Sequence, residues 1–185
     1  MILGFRRWPW RWLGRWGGVV GAIAISLSAC QNEPASIEPV ALNSRFTDEQ
    51  PTLSGDGKLV AFITNRNGSA QIAVYNLSTK RFLTLTGLNQ DRTLVQSPSL
   101  SRTGRYIVYL VNEEGRPAIA CYDRAIQRSE ILTRRYRYWV RNPKISPDGR
   151  YISFETARRG QWDVEVLDRG PNVELDIEDG TVIEP

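Results

Sequence analysis

The sequence predicts an all-β protein: three four-stranded blades of propeller type, forming a partial β-propeller arc behind an N-terminal export segment. Three observations carry that reading. Ser146-Pro147-Asp148-Gly149 is a four-residue turn set between two strand-like runs, Pro143 to Ile145 and Arg150 to Phe154. The same turn-and-strand pattern recurs twice upstream, with turn glycines at Gly57, Gly104 and Gly149, 47 and then 45 residues apart. A second glycine follows each turn by 11 residues, at Gly68, Gly115 and Gly160. A repeat of roughly 40–50 residues is the length of one four-stranded blade.

The turn has a physical logic. Proline presets φ near −65° at the second position, Asp suits the third, and glycine accepts the positive φ that closes the turn. Gly104 and Gly149 are therefore expected at positive φ. The first copy reads Ser54-Gly55-Asp56-Gly57 and the second Ser101-Arg102-Thr103-Gly104, both without the proline. Gly55 is expected to tolerate a side chain better than the closing glycines.

The blades are expected at about 50–95, 97–140 and 142–180. Each turn leads into a second strand: Leu59 to Thr64, Tyr106 to Val111, and Tyr151 to Thr156. Both faces of these strands are apolar or small, as a sheet covered on both sides requires. Third strands follow at Gln71 to Tyr75, Pro117 to Tyr122 and Trp162 to Leu167, ended in register by the turn formers Asn76, Asp123 and Asp168. Fourth strands are expected at Phe82 to Leu85 and Ser129 to Leu132. In the last copy the alternation Val173-Glu-Leu-Asp-Ile177 predicts a fourth strand with an acidic outer face. The run Arg134 to Arg141 reads as a blade-to-blade crossover with extended arginine side chains, in preference to a nucleic-acid stacking platform.

Residues 1–29 are a separate object. Arg6, Arg7, Arg11 and Arg15 give a basic region without an acid, and Gly17 to Leu27 is an uncharged, mostly apolar stretch. Small residues follow, which is the order of a secretory signal peptide. Leu27-Ser28-Ala29-Cys30 resembles the lipobox of bacterial lipoproteins. That resemblance implies cleavage between Ala29 and Cys30 and lipid attachment at Cys30. The Arg6-Arg7 pair leaves twin-arginine export as an alternative route. Residues 30–48, with Pro34 and Pro39, read as a flexible tether, and Val40-Ala41-Leu42 could add a strand.

The formal charge of +4 comes from the four arginines of that leader, and the other 20 basic and 20 acidic residues cancel. Nucleic-acid binding therefore loses its electrostatic support. The charge is nonetheless uneven: Arg124 to Arg159 is basic and Gly160 to Pro185 acidic, which reads as local pairing or as a bipolar surface. Cys121 stands at the repeat position filled by Val74 and Val166, so it reads as a packing residue and not a reactive thiol.

Pro-x-Ile-Ser-Pro-Asp-Gly-Arg-x-Ile-x-Phe, with strands closing in Leu85-Thr86 and Leu132-Thr133, resembles the TolB-type β-propeller repeat over residues 50 to about 178. The resemblance implies a cell-envelope protein, on the periplasmic side, that binds other proteins without chemistry of its own. TolB-type propellers usually carry six such blades and a second domain, and three repeats occur here.

The sequence contains no histidine, which removes Ser-His-Asp and Cys-His nucleophiles. No nucleophile elbow or P-loop occurs. Asp176, Glu178 and Asp179 lack the ordered ligand positions of a calcium loop and read as an exposed strand end, so no metal or cofactor is expected. The reading is a lipid-anchored, non-catalytic envelope interaction module. Its alternative is a periplasmic small-ligand or glycan binder using Trp139, Trp162 and tyrosines. Because closed propellers have roughly four to eight blades, three leave open edges. Either another chain completes the arc, as two arcs on a two-fold would by making six blades, or residues 31–49 and 170–185 cap it. A heterologous contact is expected, with Glu174, Asp176 and Glu178 meeting Arg134 to Arg141 of another chain, either a second copy or a different propeller-like partner.

Overall fold

The computed structural model describes residue 42, residues 44–89 and residues 94–177. Ala29, Cys30, Glu178 and Asp179 lie outside the described residues, as do the leader and most of the tether. Within these bounds the chain is all-β, without helices. Three antiparallel sheets follow one another along the sequence.

The first sheet holds β1 (Asp48–Leu53), β2 (Leu59–Thr64), β3 (Gln71–Asn76) and β4 (Arg81–Phe82) in that spatial order. The second holds β5 (Val95–Leu100), β6 (Tyr106–Glu113), β7 (Arg116–Asp123) and β8 (Arg128–Ile131), again in order. The third has three strands, β9 (Val140–Ile145), β10 (Tyr151–Thr156) and β11 (Asp163–Asp168). Each sheet is a meander joined by tight turns, which is the build of a propeller blade. β1 already begins at Asp48, inside the expected tether, while Leu42 belongs to no strand.

The blades stack face to face. One core joins Leu59, Ala61, Ile63, Ile72 and Val74 of the first blade to Ile107, Tyr109, Val111 and Ala120 of the second. A second core joins Tyr106, Val108, Leu110, Ile119 and Cys121 to Val140, Ile152 and Phe154 of the third. Successive residues of a strand point to opposite faces, so alternate residues of β6 serve the two cores in turn. This is why β6 is apolar on both sides. The first strands of adjacent blades also touch, β1 against β5 and β5 against β9.

The expected fourth strand of the last blade does not form. Residues 174–177 carry no strand pairing. Instead the chain after β11 crosses over the turns of the second and third blades. The Asp176 N–H donates to the Asp148 carbonyl at 2.8 Å, and the Tyr106 hydroxyl donates to the Glu174 carbonyl at 2.6 Å. The crossover at residues 133–139 is pinned by Tyr136, whose hydroxyl bonds Thr156 Oγ1 at 2.8 Å and donates to Glu165 at 2.7 Å.

Candidate functional site

The first element of the site is a row of turns along one rim. In the first blade Ser54 Oγ accepts from the Leu59 N–H at 2.9 Å and donates to Asp56 Oδ1 at 2.6 Å. Asp56 also accepts from the Lys58 N–H at 3.0 Å. The third blade repeats the arrangement: Ser146 Oγ donates to Asp148, which accepts from the Arg150 N–H at 3.0 Å. The turns also bond to one another. Gly55 and Asp56 N–H groups donate to the Ser101 and Arg102 carbonyls, and the Arg102 N–H donates to the Pro147 carbonyl. All six repeat glycines have positive φ: +70°, +86°, +70°, +83°, +81° and +81° at 57, 68, 104, 115, 149 and 160.

The second blade has Thr103 where the others have aspartate, so its own turn supplies no carboxylate. The missing acceptor arrives from the C-terminal segment. Asp176, 3% exposed, accepts from Ser101 Oγ at 2.5 Å, the Thr103 N–H at 2.8 Å and Thr103 Oγ1 at 2.6 Å. Two residues earlier, Glu174 accepts from Arg105 Nη2 at 2.6 Å. The Arg105 guanidinium holds the Glu174 carboxyl below the usual carboxylate range. Glu174 and Asp176 are thus engaged within the chain. The expected pairing of these two acids with another molecule's arginines is corrected accordingly.

The third element is the inner wall. Gln50, Ser97 and Asn142 occupy one repeat position, each just before a proline, and all are left-handed, with φ of 53°, 51° and 51°. Each β1-type strand breaks register there: between Glu49 and Thr52, between Gln96 and Ser99, and opposite Ser153 and Glu155. Bulges of this kind re-aim side chains. Glu49, Gln50, Gln96, Arg141 and Asn142 are left exposed in a row across three adjoining strands. Gln50 Oε1 accepts from the Ser97 N–H at 2.6 Å, so one bulge holds the next. Arg141 Nε and Asn142 Nδ2 both donate to Glu155, at 2.6 and 2.9 Å. Non-glycine residues in this region are strained by about 1–3 kcal/mol each.

No protein-family model matches the sequence, and no curated protein does. Solved structures do resemble it. TolB from Acinetobacter baumannii superposes with a TM-score of 0.56 at 22% identity, covering 71% of this chain and 32% of that one. A putative TolB from Agrobacterium tumefaciens gives 0.53 at 22% identity, covering 70% of this chain and 45% of that one. The fold is that of a TolB-like β-propeller. This chain spans about a third and just under half of those two TolB chains. The tricorn protease also superposes, at a TM-score of 0.50 and 14% identity, covering 68% of this chain and 13% of that one. Propellers of this build therefore occur in a protease as well as in TolB.

Within this TolB-like propeller the remaining candidates separate by exposure. Cys121 is free and buried, with burial pushing its thiol up to about 11. It packs beside Ile119 in the second core. Trp139 and Trp162 are 58% and 46% exposed, on β9 and β11 sides of the same sheet end. The Arg141 guanidinium lies over the Trp162 ring, 3.9 Å from its centroid. Sequence reasoning missed the left-handed positions, although each is marked by a following proline at Pro51, Pro98 and Pro143. It also missed Asp176 as a turn acceptor, for which the only signal was Thr103 in place of aspartate.

Proposed function

We propose that the chain is a non-catalytic protein-interaction module of the bacterial cell envelope, held on the periplasmic side of a membrane by lipid on Cys30. The observation that carries the interaction reading is the inner wall. Three consecutive left-handed bulges present Glu49, Gln50, Gln96, Arg141 and Asn142 as one exposed polar row on rigid strands. Exposed polar side chains in strained but mutually braced backbone are suited to recognising an extended segment of another protein. The absence of histidine from the whole sequence and the buried state of Cys121 support a binding role over chemistry. The guanidinium over Trp162 fills the ring face that a sugar would use, which favours a protein partner over a glycan.

The envelope location rests on the lipobox-like Leu27-Ser28-Ala29-Cys30 and on the likeness to TolB. Photo-crosslinking in whole cells tests the interaction reading. A photoreactive residue placed at Gln96 or Arg141 is expected to give a discrete adduct that the same residue at Lys80, on the outer rim, does not give. Equal adduct patterns from both sites would refute the inner wall as the binding surface. Labelling with a fatty-acid analogue is expected to tag the wild-type chain and not Cys30→Ser. An untagged wild type would overturn the anchor.

A further inference from the structure

The two ends of the arc are complementary halves of the junction that joins its blades. Internal junctions share three features. First, the residue two positions after one blade's turn glycine lies against the turn glycine of the next. A Cβ added at Gly104 would stand 2.7 Å from Leu59 Cδ1, and one added at Gly149 would collide with the Tyr106 ring. Second, alternate residues of the third strand are covered by the following blade: Ile72 and Val74 are 3% and 1% exposed, Ile119 and Cys121 1% and 4%. Third, the first strands lie side by side, with Gln50 reaching the Ser97 N–H.

At the ends of the arc several of these positions are left exposed among the described residues. In the last blade they are Tyr151, Val164 and Val166, which are 41%, 72% and 62% exposed. In the first blade, a Cβ on Gly57 would meet nothing within 4 Å among the described residues. Leu53 is 59% exposed, whereas its counterpart Leu100, which meets the preceding blade, is 6% exposed. Val60 and Phe62 hold the positions of Ile107 and Tyr109, the residues that receive a preceding blade. Both are themselves buried, at 7% and 4% exposed, and form one wall of a cleft of about 310 Å³ with Leu42, Phe46 and Pro51.

We propose that the trailing face of the third blade seats on the first blade of a second copy, and that two copies close head to tail into a six-bladed ring. Tyr151 of one copy then lies on Gly57 of the other, as Leu59 lies on Gly104 and Tyr106 on Gly149. Val164 and Val166 face Val60 and Phe62 across the cleft. On the inner strands, Arg141 and Glu49 hold the same repeat position, so the new junction brings a cation beside an acid. A blade of another protein would need to match the apolar pair, the glycine hole and this charge together, and the chain's own first blade carries all three. Six blades lie within the range of roughly four to eight in which propellers close, and a two-fold ring uses each end once. Head-to-tail contact also removes the exposed face at each end.

The test uses the full-length chain purified in mild detergent. Sedimentation and native mass measurement at about 50 μM are expected to give a dimer that Val164→Glu with Val166→Glu converts to monomer. The melting temperature of the double variant as a monomer reports that it still folds, since both side chains are exposed within one copy. Wild-type monomer at that concentration overturns the proposal, as does a dimer indifferent to the double substitution. Mixing Tyr151→Cys chains with Lys58→Cys chains and adding a short bis-maleimide is expected to link the two kinds. Linkage of Tyr151→Cys chains to one another would show the last blades paired face to face and refute the head-to-tail arrangement. A different protein held stoichiometrically on the third blade, and lost with the double substitution, would refute the second copy as occupant.

Discussion

Removing the Asp176 carboxylate tests how the C-terminal segment is held. In Asp176→Ala, Ser101 Oγ loses its 2.5 Å acceptor and retains a 3.3 Å contact to the Tyr106 carbonyl. The Thr103 N–H and hydroxyl lose partners at 2.8 and 2.6 Å. Ser101 is fully buried and Thr103 only partly so, which lets water replace some of the second loss. A hydrogen bond to a charged group contributes about 1.5–3 kcal/mol, and a buried donor left unpaired costs about 1–3 kcal/mol. The three bonds overlap in one carboxylate, so the whole cost is about 2–4 kcal/mol, or a melting temperature lower by about 10 °C. The structure also specifies a rescue. Thr103→Asp recreates the in-blade acceptor of Asp56 and Asp148, placing a carboxylate beside Ser101 Oγ and the Arg105 N–H. In the Asp176→Ala background it is expected to recover at least about half of the loss. With Asp176 present it sets two carboxylates against one hydroxyl and destabilises by about 1 kcal/mol or more. Strict additivity in this double-mutant cycle would refute the idea that Asp176 substitutes for the missing turn aspartate.

Two further predictions follow from the turns and the tail. Gly149→Val combines φ of +81° with a collision against the Tyr106 ring, whereas Gly57→Val has φ of +70° and open space. Thermal melts are therefore expected to rank Gly149→Val as the more damaging, by about 2 kcal/mol or more. Gly55→Val belongs between them, because a Cβ there stands 3.1 Å from the Arg102 Cα, tighter than the turn sequence alone suggests. For pH, Arg105 lowers the folded Glu174 carboxyl, so its contribution is present above the unfolded value and lost as pH falls through the folded one. The stability gap between wild type and Glu174→Gln is expected at neutral pH and to close as pH falls below the ordinary carboxylate range and through the lowered folded value. A gap that widens in acid would contradict the pairing.

Much of this arrangement is legible in the chain because the turn chemistry and the strand pattern agree locally. Leu59–Thr64 and Tyr151–Thr156 form the strands their β-branched and aromatic residues predict. The Ser-x-Asp-Gly turns fix where those strands begin. Agreement between local preference and global fold is what makes a sequence readable. The last blade departs from that rule. Val173 to Ile177 alternates as a strand should, yet its partner is not a neighbouring strand but a hydroxyl and an N–H some seventy residues upstream. Period-two alternation records which side chains share a face and carries no information about what that face meets. Gln50, Ser97 and Asn142 were hidden for a different reason. Their left-handed backbone is uncommon for such residue types and is imposed by the surrounding ladder, not by intrinsic preference.

The choice between strand and strap has a physical cause in the cost of the alternative. Had residues 173–177 paired along β11, their backbone bonds would have covered an edge that water already satisfies. The buried Ser101 hydroxyl would still accept from the Tyr106 N–H at 2.9 Å, but its own hydrogen would have only a 3.3 Å contact to the Tyr106 carbonyl. An exposed edge costs little in water, whereas a buried donor without an acceptor costs about 1–3 kcal/mol. The strap also lets Glu174 meet Arg105 and lets Arg169 reach the Gly149 carbonyl at 2.7 Å. It therefore clamps the second and third turns together on the rim, while Val164 and Val166 of the third blade remain 72% and 62% exposed. Thr103, standing where the other two turns carry aspartate, thus accounts for the C-terminal segment lying over the second turn and not along β11.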